Sequence, residues 1–118
     1  MKYTIISHFS NSELSCSCGC GMEVESDLVF ALEHLRQIMG IPLIINSGAR
    51  CIEHNLDSGG AVNSKHINGI AADIAWIDDC SMINILTVAR NCGFHGIGVN
   101  WGKFVHLDLR GEIAFWGY

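Results

Sequence analysis

Residues 104–110 read Phe104-Val105-His106-Leu107-Asp108-Leu109-Arg110. The alternation is strict, so an extended chain places Phe104, His106, Asp108 and Arg110 on one face and Val105, Leu107 and Leu109 on the other. That pattern predicts a strand with an aliphatic face on the core and a polar face carrying His, Asp and Arg. Just upstream, His95 to Val99 reads as a second strand, joined to the first through the turn Asn100-Trp101-Gly102. Two strands this close in sequence pair antiparallel. Working outward, Ile113 to Trp116 is expected to form a closing edge strand. Ala71 to Trp76 reads as a strand, and Leu43-Ile44-Ile45 after Pro42 as a buried one. Leu28, Leu32, Leu35 and Met39 recur at helical spacing, predicting a helix over 27–39 with Ser26 as cap and Gly40 at its end. Ser81 is expected to cap a second helix with Met82, Ile85, Leu86 and Ala89 on one face. Short helices are expected within 7–13, with Ser10 or Asn11 as cap, and near 52–56. Irregular alternation of helices and strands favours α+β, a central antiparallel sheet with flanking helices, over a doubly wound parallel sheet.

A chain of 118 residues corresponds to one domain, 1–118. Hydrophobic residues make up 49% and charged residues 16%, which argues against disorder. The net charge is −5 with His neutral, so no cationic surface for nucleic acid is expected. Apolar runs stop far short of the ~20 residues a membrane span requires. Met1 to His8 contains no apolar core of a secretory signal, so synthesis in the cytoplasm is expected. In a reducing compartment the six cysteines are not automatically disulfides.

His66, Asp73 and His106 form the constellation with chemical potential. His66 precedes Asp73 by seven residues, across a glycine turn that enters the strand at Ala71. Two His and one carboxylate suit zinc and leave a fourth position open. Spacing alone is equally compatible with a hydrogen-bonded loop His and two unrelated surface residues.

Further segments extend the pattern: Ser47-Gly48-Ala49-Arg50-Cys51-Ile52-Glu53-His54-Asn55, Gly59-Gly60-Ala61, Ser64-Lys65-His66, Gly69-Ile70-Ala71-Ala72-Asp73-Ile74, Gly96-Ile97-Gly98 and 104–110. Together they resemble the M15 family of zinc D-Ala-D-Ala carboxypeptidases and peptidoglycan endopeptidases, in its small phage and bacterial form. The opening segment, His8-Phe9-Ser10 with Glu13-Leu14 and 16–21, resembles theirs too, so the likeness covers nearly the whole chain. It implies the hedgehog/DD-peptidase-like fold and a zinc ion held by His66, Asp73 and His106. It implies hydrolysis of peptidoglycan stem peptides by a zinc-activated water, at the terminal D-Ala or at a bond of the L-Ala-D-Glu type. Arg50 would grip a substrate carboxylate and Ser64 would lie beside the substrate; the alternatives are a salt bridge and a turn hydrogen bond. A monomer acting at the cell wall, in a bacterial or phage setting, follows from the same likeness.

One position departs from the family pattern. Many relatives carry an acid three residues before the last His ligand, where this chain has Lys103. Asp108 is then the nearest candidate for the catalytic base, its alternatives being to orient His106 or to pair with Arg110. The missing acid also keeps open a second reading, a zinc-containing but inactive binding or structural module of the virion or tail.

Cys16-Ser17-Cys18-Gly19-Cys20-Gly21 is a separate feature. Three sulfurs along an extended strand cannot meet at one ion, but the glycines permit a turn, and Cys51 is a candidate neighbour. A structural metal, a disulfide and reduced thiols packed beneath the cleft all remain open. His34 reads as a solvated helix residue. Trp76, Trp101, Phe104 and Trp116 are candidates for a binding groove or for core.

Overall fold

The alternating stretch at 104–110 becomes the middle strand of a five-stranded sheet. A computed structural model describes residues 9, 14–16, 18–51, 55 and 64–118. Among them the strands are β1 (Ile45–Ser47), β2 (Ala71–Ala75), β3 (Gly96–Asn100), β4 (Phe104–Asp108) and β5 (Ala114–Gly117). Two α-helices accompany them, α1 (Ser26–Met39) and α2 (Asp79–Ala89), the latter running into a 3-10 turn at Arg90–Cys92. Most of the segments 7–13 and 52–56, with His8 and His54, lies outside the described residues.

The strand order is β1-β2-β4-β3-β5. The first four strands pair antiparallel, but β5 lies parallel to β3, so the sheet is mixed rather than wholly antiparallel as expected. The reason is the length of the last connection. β4 ends at Asp108, opposite the first residue of β3, Gly96. The chain then needs only residues 109–113 to pass the start of β3 and enter β5 at Ala114, also opposite Gly96. β5 therefore runs against β4, the strand it follows, and reaches the free edge of β3 without a long crossover.

The aliphatic face of β4 behaves as its alternation dictates. Val105 and Leu107 join Ala72, Ile74 and Ile97 against Leu28, Leu32 and Leu35 of α1 and Met82, Ile85 and Ala89 of α2, all buried. At ~1.5–3 kcal/mol per buried aliphatic side chain this face supplies most of the driving force for folding. The polar face is left for the site.

Local signals shift by a residue or two. Glu25, not Ser26, takes the extended N-cap backbone of α1, and its N–H donates to the carbonyl of Gly69 at 2.8 Å. At α2 the cap is Asp78 rather than Ser81. Its Oδ1 accepts the N–H of Ser81 at 2.7 Å and its Oδ2 accepts the Ser81 hydroxyl at 2.9 Å, so both carboxylate oxygens are engaged at the cap. The buried strand expected at 43–45 is an edge strand displaced to 45–47, with Leu43 buried but Ile44 59% exposed. β1 has a neighbour on one side only, and nothing described covers the outward side of Ile44.

Candidate active site

Sheet register decides which side chains meet. One row crosses all five strands: Ser47 opposite Asp73, Asp73 opposite His106, His106 opposite Gly98, and Gly98 opposite Trp116. Directly opposed residues share a face. Asp73 and His106, 33 positions apart in sequence, are therefore neighbours on the polar face. His66 reaches the same point from the turn that precedes β2. That turn is shaped by Ser64, whose Oγ accepts the N–H of His66 at 3.2 Å, and by bonds from Ile67 N–H to Ser64 O and Gly69 N–H to His66 O.

Three donor atoms converge. His66 Nε2 lies 3.2 Å and His106 Nδ1 3.0 Å from the same oxygen of Asp73, Oδ1. Each ring is held through its other nitrogen. His66 Nδ1 sits 2.7 Å from the carbonyl of Gly48, which can only accept, so Nδ1 carries the proton. His106 Nε2 sits 2.7 Å from Asp108 Oδ2 and donates to that carboxylate. With the rings neutral, His66 Nε2 and His106 Nδ1 are bare lone pairs aimed at a carboxylate oxygen. Such an arrangement calls for a cation or for extra protons between them. Ligands 2.0–2.1 Å from a tetrahedral zinc stand about 3.3 Å apart, close to the two separations here. The donor set, its spacing and the oriented rings all fit a zinc ion.

Electrostatics follow from this packing. Burial opposes ionisation of Asp73, but hydrogen bonds and charge from His106 and His66 overcome it and hold its carboxyl down at about 2. For His106 burial disfavours the charged ring, yet Asp108 and Asp73 raise its pKa above the ordinary value. Asp108 is fully buried; despite that cost, Arg110 and His106 hold its carboxyl well below the usual carboxylate range.

Asp108, the candidate base, is fully engaged by hydrogen bonds. Oδ1 accepts from Arg110 N at 3.0 Å and Nε at 2.8 Å; Oδ2 accepts from Arg110 Nη2 at 2.7 Å and from His106 Nε2. Both oxygens are committed, and the carboxylate lies behind the His106 ring, on the nitrogen away from Asp73. Arg110 in turn stacks on Trp116, 4.8 Å from guanidinium carbon to ring centroid. The Trp116 ring also meets His106, with centroids 5.2 Å apart. Trp116, which the sequence left as a candidate for groove or core, is thus a site residue. Two glycines make this possible. A Cβ on Gly98 would overlap the Trp116 indole, and one on Gly96 would overlap the Asp108 carboxylate and Arg110. The available signal was the period-two spacing of Gly96 and Gly98 opposite a strand bearing His and Asp.

Arg50 stands at the edge of the cluster. Its Nη2 is 3.9 Å from Asp73 Oδ2, and its backbone N–H donates to His66 O at 3.0 Å. Its buried Nε has no hydrogen-bond partner among the described residues. Tyr118 is a further neighbour that sequence reasoning missed, packed edge-on against Phe104 with centroids 5.0 Å apart. The side chain is exposed, but the desolvation it does feel and the Asp73 carboxylate raise its phenol, opposed by Trp116 and Arg50, so it stays a neutral hydroxyl at pH 7. Lys103 is exposed in the β3–β4 turn and closes it through its N–H to Asn100 O at 2.9 Å. His34 is exposed on α1, and His95 is used structurally, with Nδ1 3.0 Å from the carbonyl of Arg110. Among the described residues no helix is long and apolar enough to cross a membrane.

No curated protein matches the chain. A family model does: the model described as Peptidase M15 matches residues 7–108, a span that includes Arg50, His66, Asp73, His106 and Asp108. With His66, Asp73 and His106 brought to one point inside that span, the chain belongs to the peptidase M15 family.

Proposed function

We propose that the chain is a zinc-dependent peptidase acting on peptidoglycan stem peptides, either as a D-Ala-D-Ala carboxypeptidase or as an endopeptidase of the L-Ala-D-Glu type, with the hedgehog/DD-peptidase-like fold in a single domain. The observation that carries the reading is the convergence of His66 Nε2, Asp73 Oδ1 and His106 Nδ1, each imidazole fixed through its other nitrogen. Family membership supports peptide-bond hydrolysis as the chemistry.

Bound zinc would lower the pKa of a water and polarise the scissile carbonyl. The chain's own residues do the rest. His66, Asp73 and His106 supply the ligand atoms. Gly48 and Asp108 keep the two rings in the tautomers that leave those atoms bare, and Asp108 acts through His106 as a positioning residue rather than as the base. Arg50 has a buried Nε without a partner among the described residues and its Nη2 3.9 Å from Asp73 Oδ2, and it anchors a substrate carboxylate, a task suited to a planar fork of donors. Ser64 shapes the His66 turn and borders the bound peptide. Tyr118 offers a neutral hydroxyl as a donor at the rim. The working unit is a monomer, and the substrate class implies action at the cell wall, in a bacterial or phage setting.

A second reading, an inactive zinc-containing virion or tail module, draws on one observation. The exposed Lys103 stands where many relatives have an acid, and the two carboxylates touching the histidines, Asp73 and Asp108, are already engaged. Mass spectrometry of products from defined muropeptides separates the two. The peptidase reading expects release of D-Ala or cleavage of an internal stem bond, abolished by chelator and restored by zinc. A zinc-loaded chain that releases no fragment from any muropeptide or from whole sacculi overturns it.

A further inference from the structure

The four cysteines left open by the sequence are brought to one place. Cys16, Cys18, Cys20 and Cys51 offer sulfur atoms that all lie within 4.8 Å of one another. The Cys16–Cys18 pair is 3.3 Å apart and the Cys18–Cys51 pair 3.6 Å, both far beyond the ~2.05 Å of an S–S bond. Sulfurs bound at ~2.3 Å around a tetrahedral zinc stand about 3.8 Å from one another, in the middle of the observed range.

The backbone is shaped for this convergence. Gly19 and Gly21 have φ of 86° and 89°, the left-handed region, so the chain curls instead of extending through the Cys-x-Cys-x-Cys run. Cys16 N–H closes the curl onto Met22 O at 2.8 Å. Cys51 arrives from the segment after β1, and its N–H points at Cys16 Sγ at 3.4 Å. An N–H donated to sulfur favours the thiolate form, the form that binds metal.

We propose that Cys16, Cys18, Cys20 and Cys51 form a tetrathiolate zinc site, distinct from the His66, Asp73 and His106 centre, which ties the segment around Cys16–Gly21 to the wall that holds His66 and Arg50. Four soft ligands in a tetrahedral set with no further position select a structural rather than a catalytic metal. The segment needs such a tie. Among the described residues of 15–25 there is neither helix nor strand, and the exposed stretch Cys18 to Gly21 lies between buried Cys16 and buried Val24. The wall it meets is the one that matters. Ala49 N–H donates to Leu14 O at 2.7 Å, Gly48 O holds His66, and Arg50 precedes Cys51. A small domain gains fixed geometry from a metal where secondary structure supplies little.

The test is metal content and cobalt spectroscopy of the full chain, purified without oxygen. The wild type is expected to hold two zinc ions per chain. The double variant Cys18→Ser, Cys20→Ser, at two exposed positions outside the core, is expected to hold one. His66→Ala is also expected to hold one. In the cobalt-substituted form, the intense sulfur-to-cobalt charge-transfer band is expected in wild type and in His66→Ala, and to vanish in the cysteine variant. A wild type lacking that band, a cysteine variant with undiminished zinc, or four of the six thiols already oxidised in the anaerobic protein would each overturn the proposal. Failure of the His66 centre to bind zinc would read differently: the wild type would then hold one ion, still lost on cysteine substitution.

Discussion

Asp108→Asn separates a positioning carboxylate from a catalytic base. The side chain is fully buried and accepts four hydrogen bonds, three from Arg110 and one from His106. Asparagine keeps the shape but turns one oxygen into an N–H donor. In either amide orientation two donors then face a donor, so at least two charge-assisted bonds are lost, each worth roughly 1.5–3 kcal/mol. Removing one partner of a buried pair costs ~3–5 kcal/mol in general. The Arg110 side chain is 25% exposed, so water recovers part of its guanidinium and the lower end, about 3 kcal/mol, is expected. With a urea m-value of ~2 kcal/mol/M, the unfolding midpoint should fall by ~1.5 M at unchanged m. Zinc affinity should weaken ~10–100-fold, because the His106 tautomer is no longer enforced. Competition against a coloured zinc chelator measures the second effect and urea titration the first. A variant within ~0.5 kcal/mol of wild type and of equal zinc affinity would refute the positioning argument. Loss of kcat with zinc affinity intact would restore Asp108 to the role of base.

Three further perturbations follow from the geometry. Arg50→Lys removes the guanidinium fork, so kcat/KM should drop ~10-fold or more for a substrate with a free carboxylate next to the cut, and little for its amide; equal losses on both would exclude carboxylate anchoring. Gly98→Ala puts a methyl into the Trp116 indole and should destabilise by ~1–3 kcal/mol, read as a lower thermal midpoint together with weaker zinc binding; an unchanged midpoint would contradict the packing described. In the chelated chain, Asp73, held at about 2, and the depressed Asp108 bind fewer protons folded than unfolded. Their stabilisation is complete above about pH 4 and drains away as pH falls through the folded values. His106 is raised, so its contribution is complete below about pH 6.5 and is lost as pH rises through its folded value. Stability of the metal-free chain should therefore peak between roughly pH 4 and 6.5, and a urea midpoint that is flat from acid to neutral pH would show that these ion pairs do not form.

Periodicity made most of the elements legible. Leu28, Leu32 and Leu35 at helical spacing, and Val105 and Leu107 at strand spacing, report burial on one face, and burial is what the core enforces. Caps were less legible: at α2 Asp78 and Ser81 both satisfy the composition rule, at α1 the cap is Glu25, which does not, and only backbone dihedrals decide. β5 could be seen as an edge strand, but its parallel sense depends on how a five-residue link rounds the end of β3. Trp116 was obscure for the same reason: its role comes from lying opposite Gly98, a matter of register between strands distant in sequence.

Residue chemistry and local pattern, readable from the chain alone, named the α+β class, the two His and one Asp suited to a metal, and a cysteine run too extended to close on itself without a turn. These are properties of short segments, and short segments carry them whatever they pack against. Tertiary contact made the rest: Asp73 beside His106 across the sheet, the Gly48 carbonyl behind the His66 ring, and Cys51 beside Cys16 and Cys18. Each joins residues separated by up to 35 positions or by a strand register. A shift of one residue in that register would turn every one of these sheet side chains to the opposite face. The early choice between disulfide scaffold and metal site thus becomes two places in space, an oxygen–nitrogen set on the polar face of β4 and a sulfur set at the wall beside it.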